Sequence, residues 1–237
     1  MSIGTDTLPI ANFSFTDTIC LGDTTFFSDL SINTSGNINS WQWNFGDGNI
    51  STDTNPSHIY SNPGTYTVTL TVTDNNLCTH TDTQTVIIRP NPIASFTATT
   101  VCVGDTTELI STSISDSIYA NIAGTINSWQ WNFGDGNGYG DDLEIIQHTY
   151  TSDGPYLVTL IVTDQYGCDT EVSDSIYVTP GPIANFTSDT VCEGDSTTFT
   201  DLSQFTPPLG VEIQTWLWDF GDGNTSTDQN PTHLYSN

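Results

Sequence analysis

The chain has 237 residues, with 28 acidic side chains against a single basic one, Arg89, for a formal net charge of −27. One cation cannot neutralise a phosphate backbone or an anionic membrane surface, and there is no run of about 18 apolar residues to span a bilayer, so nucleic-acid binding and membrane insertion are excluded. Charged residues make up only 12% of the chain, while 35% apolar and 11% aromatic residues supply a core; the polar remainder, led by 41 Thr, 23 Ser and 19 Asn, argues against helical bundles and for strands.

Residues 1–9 are polar, with neither a basic nor an apolar region of signal-peptide type, and read as a linker or the end of a preceding unit. A first unit opens with Pro9-Ile10-Ala11 and Phe13, followed by Cys20 just before Gly22-Asp23. Trp41, Trp43 and Phe45 then alternate with Gln42 and Asn44, the pattern of a strand with one apolar face, so both indoles are expected in the core. Gly46-Asp47-Gly48 predicts a tight turn, because glycine supplies positive φ and the Asp side chain bonds back to the turn backbone. After Asn55-Pro56-Ser57-His58-Ile59-Tyr60 and a Pro63-Gly64 turn, a strand over 64–74 places Tyr66, Val68, Leu70 and Val72 on one face and threonines on the other. Cys78 lies in the next turn, a last strand follows, and Arg89-Pro90-Asn91-Pro92 reads as a short, stiff linker.

The same landmarks recur. Phe96, Cys102 and Trp129-Gln130-Trp131-Asn132-Phe133-Gly134-Asp135-Gly136 mark a second unit, with its Trp motif 88 residues after the first. It continues through His148-Thr149-Tyr150, an alternating strand with Tyr156, Val158, Leu160 and Val162, and Cys168. Phe186, Cys192 and Trp216-Leu217-Trp218-Asp219-Phe220-Gly221-Asp222-Gly223 mark a third unit, 87 residues further on, which reaches His233-Leu234-Tyr235. A period this long is a small domain rather than a solenoid turn. The expected division is 10–90, 91–180 and an incomplete 181–237, with both ends reading as cuts through a longer array. Each unit is expected to be an antiparallel all-β sandwich.

The series W-x-W-N-F-G-D-G, N-P-x-H-x-Y and P-G-x-Y-x-V-x-L-x-V-x-D resembles the PKD (polycystic-kidney-disease-type) domain, in two full copies and about half of a third. The Cys-x-Gly-Asp and late Cys resemble the variant in large secreted surface proteins of Bacteroidota. The resemblance implies an immunoglobulin-like β-sandwich and a part in extracellular spacing or adhesion, or an accessory module beside a hydrolase catalytic domain. The second unit departs from the pattern through an insert at 139–144 and the lack of an Asn-Pro pair.

Five cysteines fall two, two and one per unit. The expected bridges lie within units, Cys20–Cys78 and Cys102–Cys168, with the partner of Cys192 outside the chain. The alternative is Cys20–Cys168, which would lock neighbouring units together. Either implies an oxidising, extracellular location. His58, His148 and His233 are expected to bond either the turn itself or its acids Asp47, Asp135 and Asp222, rather than a metal, since no further ligands cluster nearby. Tyr60, Tyr150 and Tyr235 complete the same motif. Asp141, Asp142 and Glu144 form the densest acidic cluster and are the candidate weak calcium site; no other cofactor is expected. Asp-Ser/Thr-aliphatic triplets resembling the O-glycosylation sequon of Bacteroidota mark Thr18, Ser117, Ser175 and Thr190, and loosely Thr7. No Gly-x-Ser-x-Gly elbow or nucleophile–base pair is present, so no catalysis is expected.

The leading expectation is a non-catalytic stalk or filament segment of a large secreted cell-surface protein, in contact with its own neighbouring repeats. An accessory module binding extracellular glycan or protein is a second reading, with Tyr119 and Tyr139 as exposed aromatics to inspect. A third is self-association, in which the incomplete unit accepts strands from another chain.

Overall fold

The computed structural model describes residues 7–16, 19–34, 36–138, 142–205 and 212–235. They form tandem immunoglobulin-like β-sandwiches. The first repeat contains β1 (Phe13–Phe15), β2 (Ile19–Cys20), β3 (Thr25–Asp29), β4 (Ile38–Asn44), β5 (Ile50–Ser51), β6 (Ser57–His58), β7 (Gly64–Asp74) and β8 (Thr79–Arg89). One sheet has the order β1-β3-β6 and the facing sheet β2-β8-β7-β4-β5. The second repeat contains β9 (Phe96–Ala98), β10 (Val101–Cys102), β11 (Thr106–Ser111), β12 (Ile126–Asn132), β13 (Ile145–Thr149), β14 (Gly154–Asp164) and β15 (Asp169–Thr179). Its sheets are β9-β11-β13 and β10-β15-β14-β12. The third contains β16 (Phe186–Ser188), β17 (Thr197–Asp201), β18 (Trp218–Asp219), β19 (Thr225–Ser226) and β20 (Thr232–His233), paired as β16-β17-β20 and β18-β19.

The alternation along β7 closes the first core. Val68, Leu70 and Val72 are fully buried against Phe13, Phe27, Trp43, Phe45 and Tyr60. Leu109, Trp131, Tyr150, Val158, Leu160 and Val162 do the same in the second repeat. Gly46 sits at φ +83° with the Thr67 carbonyl oxygen 2.6 Å from where a Cβ would lie, and Gly134 is crowded likewise by the Leu157 carbonyl, so the turn after the Trp strand is closed to any side chain in the first two repeats.

The sandwiches are not wholly antiparallel. After β1, the chain crosses to the other sheet, where β2 runs parallel to the end of β8 with Ile19 opposite Ile88 and Cys20 opposite Arg89. β10 repeats this against β15, with Cys102 opposite Thr179. The crossing carries Cys20 to the exit end of its repeat, beside the linker. Cys78, in contrast, lies in the β7–β8 turn, the full length of β8 away. Eleven strand residues at ~3.3 Å each put roughly 35 Å between them, whereas a disulfide needs Cα atoms about 4–7 Å apart. The Cys20–Cys78 and Cys102–Cys168 bridges are therefore ruled out, and the bridge formed is Cys20–Cys168.

Candidate functional site at the repeat junction

The residues with the most specific arrangement lie between the first two sandwiches. Cys168 occupies the β14–β15 turn and bonds Cys20 across the junction, with Cα atoms 5.5 Å apart and 148 residues between them in sequence. The turn is shaped by Asp164, which is buried although acidic. Its Oδ1 accepts the backbone N–H of Tyr166 at 2.8 Å and of Cys168 at 2.9 Å. Gly167 takes φ +86°, and the chain reverses to aim the Cys168 side chain at the neighbouring repeat. Asp74 builds the same turn in the first repeat, accepting from Asn76 and Cys78 at 2.9 and 2.8 Å.

Arg89, the only Lys or Arg in the chain, closes the same junction. Its guanidinium carbon lies 3.4 Å from the centroid of the Tyr166 ring, and Nη1 donates to the Ile122 carbonyl at 2.7 Å. Both partners belong to the second repeat. A cation stacked on an aromatic face and fixed by a carbonyl contributes about 0.5–2 kcal/mol, depending on how far it is desolvated. The linker is packed too: Pro90 and Pro92 are buried, and Asn91 donates to the Leu21 carbonyl at 3.3 Å. The second linker differs, since Gly181 and Pro182 are exposed and Thr179 stands where Arg89 does in the first.

The repeated His and Asp residues form one unit in each sandwich. His58 Nε2 lies 2.7 Å from Asp47 Oδ2, and His148–Asp135 and His233–Asp222 repeat that distance. The imidazole of His58 stacks on Phe45 at 4.3 Å and meets the edge of Tyr60, whose hydroxyl donates to the Phe45 carbonyl at 3.1 Å. Burial pushes the Asp47 carboxyl up, but hydrogen bonds from Asn49 and His58 outweigh it and hold it below the usual range. Asp135 is lowered against the same burial by His148 and Asn137. Asp222 falls to about 2, through the His233 hydrogen bond first and the Asn224 backbone second. Burial raises the Tyr60 and Tyr150 hydroxyls above their ordinary range. Each histidine is thus held by an acid, a ring and a turn.

The indoles divide by position. Trp43 and Trp131 are fully buried and donate to the carbonyls of Asp53 and Leu143 at 2.9 and 3.0 Å. Trp218 is partly exposed and donates to the Asp228 carbonyl at 2.8 Å. Trp41 and Trp216 are half-buried and donate to Asp29 and Asp201 at 2.7 and 2.9 Å; Trp129 is half-buried.

Of the calcium candidates, Asp141 lies outside the described residues. Asp142 accepts the backbone N–H of Trp129, and Glu144 is exposed. Among the described residues no three His, Cys, Asp or Glu side chains come together around a cation-sized space. Of the sequon residues, Ser117, Ser175, Thr190 and Thr7 are exposed, while Thr18 and also Tyr139 lie outside the described residues; Tyr119 is half-buried. No helix among the described residues is long and apolar enough to cross a membrane.

The family model described as "PKD domain" matches residues 6–88, 89–180 and 179–237. The chain belongs to the PKD domain family. The PKD repeats are 48% identical over 64 residues to a microbial collagenase of Vibrio alginolyticus, which covers 27% of this chain and 8% of that protein. Collagenase ColA of Bacillus cereus is 41% identical over 70 residues, 30% of this chain and 7% of the relative. Pre-pro-metalloprotease PrtV of Vibrio cholerae is 40% identical over 91 residues, 36% and 10%. The chain thus spans a tenth or less of the curated relatives it matches. Among solved structures, the PKD1 domain of Vibrio anguillarum Epp is 36% identical, with 35% of this chain and 96% of that one covered and a TM-score of 0.34. The PKD1 domain of PrtV is 35% identical, covering 35% and 98%, with a TM-score of 0.33.

Reading the sequence singled out the turn acids, the histidines and the cysteines. It missed Arg89 and Asp164 as parts of a junction. The signals were there: a single cation in 237 residues, and a Val-Thr-Asp ending shared by β7 and β14, 4 residues before a Cys in each case.

Proposed function

We propose that the chain is a non-catalytic spacer, a stalk or filament segment of a secreted cell-surface protein whose consecutive PKD repeats are fixed in orientation. The observation that carries this reading is the Cys20–Cys168 bridge, reinforced by Arg89 on Tyr166. Each sandwich already buries its own core, so a covalent bond between two of them does nothing for either fold that a shorter internal bridge would not do. What it adds is a defined angle. A disulfide also persists in oxidising surroundings, which fits an extracellular location. The test is small-angle scattering of the oxidised chain against Cys20→Ser/Cys168→Ser. The reading expects a single compact first pair when oxidised and a broadened interdomain distribution in the variant. Identical distributions would sink it.

A second reading has its own support. The relatives are collagenases and a metalloprotease, so the chain is alternatively an accessory module that brings a secreted protease to a fibrous protein substrate. Co-sedimentation with insoluble collagen separates the two: retention in the pellet favours the module, and its absence favours the spacer.

A further inference from the structure

The outward face of the first repeat carries an array that packing does not require. Along β7, the side chains on the face opposite Val68, Leu70 and Val72 are Thr67, Thr69, Thr71 and Thr73. Their cross-strand partners on β8 are Thr85, Thr83, Thr81 and Thr79, so four threonine pairs lie in register down the hairpin. On the other side of β7, Asn44, Gln42 and Ser40 of β4 extend the rows of Thr69, Thr71 and Thr73. All of these side chains are exposed or half-exposed, none is charged and none carries a ring. In a chain of net charge −27, this is a neutral island.

Strand formation alone does not explain it. The equivalent hairpin of the second repeat keeps the buried Val-x-Leu-x-Val face, yet its outward pairs are Leu157–Ser175, Thr159–Ser173, Ile161–Glu171 and Thr163–Asp169. The outer face of this fold therefore accepts aliphatic, acidic and hydroxyl side chains alike, and of the two hairpins only the first is uniform.

Threonine is β-branched and stiff about χ1, so its hydroxyl and methyl groups stand at fixed places with little rotamer freedom to lose on binding. In the middle row the Thr71 and Thr81 hydroxyls are bonded to each other at 2.9 Å. The pleat repeats each column every ~6.8 Å, and neighbouring columns lie ~4.8 Å apart. Tetrahedral water joined by O–H···O bonds of ~2.75 Å places equivalent oxygens about 4.5 Å apart along one axis and about 7.3 Å apart along the perpendicular one. The two nets agree to within about a tenth in both directions. An ice face is also uncharged and offers donors and acceptors at every lattice point, as the array does.

We propose that the threonine face of the β7–β8 hairpin binds ice, with its hydroxyls holding lattice waters and its methyl groups seated between them. A polysaccharide fits it less well, because nothing on the face can stack on a sugar ring. A second copy of the chain is opposed by like charge. Binding of this kind leaves the junction between repeats untouched, so it stands apart from the spacer reading.

The test grows an ice shell slowly from a stirred solution of the oxidised chain and reads protein in ice and in liquid by indole absorbance. The chain is expected to be enriched in the ice and to inhibit recrystallisation in a frozen sucrose film. Thr71→Tyr/Thr83→Tyr breaks the net with rings that outward strand positions tolerate, and is expected to lower the ice-to-liquid ratio ~10-fold, since many weak contacts act as one. Thr71→Ser/Thr81→Ser keeps the hydroxyls and removes only methyl groups, too small a change to unfold the repeat, and is expected to lose part of the ratio. Thr159→Tyr, at the matching place in the second repeat, is expected to change nothing. Exclusion of the wild type from ice, an unchanged ratio in Thr71→Tyr/Thr83→Tyr, or an equal loss in Thr159→Tyr would overturn the proposal. So would adsorption to crystalline cellulose or chitin in place of ice, or sedimentation as a dimer that Thr71→Tyr/Thr83→Tyr converts to a monomer.

Discussion

Two residues at equivalent turns show how local backbone chemistry is tuned. Leu77 and Gly167 occupy the same position before the turn cysteine, at φ +66° and +86°. A leucine there bears a left-handed penalty of about 1–2 kcal/mol that glycine avoids, offset in part by the greater freedom of glycine in the unfolded chain. Leu77→Gly is expected to stabilise the first repeat by up to ~1 kcal/mol, read as a higher urea midpoint. Asp164→Ala goes the other way. It removes the acceptor of two N–H groups in a buried turn, at a cost of about 2 kcal/mol, and slows formation of the Cys20–Cys168 bridge during oxidative refolding. Asp135 has a pH signature. Its carboxyl is lowered from an ordinary 3.8, so the stability it contributes is complete above that value and is lost as pH falls through the folded pKa. The Tm difference between the wild type and Asp135→Asn is therefore expected to be largest above about pH 4 and to shrink as pH falls below the ordinary carboxylate value. A difference that holds constant across that range would contradict the assignment.

Among the elements, the long strands were legible because their chemistry repeats every two residues. Gly64–Asp74 and Gly154–Asp164 each show four apolar positions on one face, and both form 11-residue strands at the centre of their sheets. The His–Asp pairs were legible for a related reason, since three copies of each motif fix which acid and which imidazole belong together. The choice between the two disulfide pairings was not. It depends on β2, a strand of two residues, and two residues carry no periodicity. Ile19-Cys20 pairs in parallel with the end of β8 only because the chain changes sheets after β1, which is a tertiary preference with no local mark. Arg89 escaped for the same reason: its partners, Tyr166 and the Ile122 carbonyl, are 77 and 33 residues away. Arg89→Ala is expected to lower the concentration of reductant needed to open the Cys20–Cys168 bridge. It should leave the melting of each sandwich within about 0.5 kcal/mol of the wild type, as expected for a residue that acts between repeats rather than within one.

At the scale of the whole molecule, a net charge of −27 is spread over three sandwiches whose outward positions are mostly Thr, Ser and Asn. Like charge on every repeat keeps sheet edges from pairing with other copies. It also opposes close approach of neighbours within the chain, which gives the single cation at the first junction its value. In the chain-entropy account, closing a loop of 148 residues stabilises the folded pair by about 5 kcal/mol. Cys168→Ser is expected to lose most of that, seen as a drop in the temperature at which the first two repeats unfold together.

The same bond has a mechanical consequence. Pulled from its two ends, the chain transmits tension from Cys20 straight to Cys168, and everything between them stays off the load path. At ~3.3–3.6 Å per residue, those 148 residues hold about 500 Å of contour length that stretching cannot release while the sulfurs remain joined. Reduction turns a short, inextensible tether into a long, compliant one. In a force–extension trace, the first two unfolding steps are expected to be absent from the oxidised chain and to appear only after reductant is added.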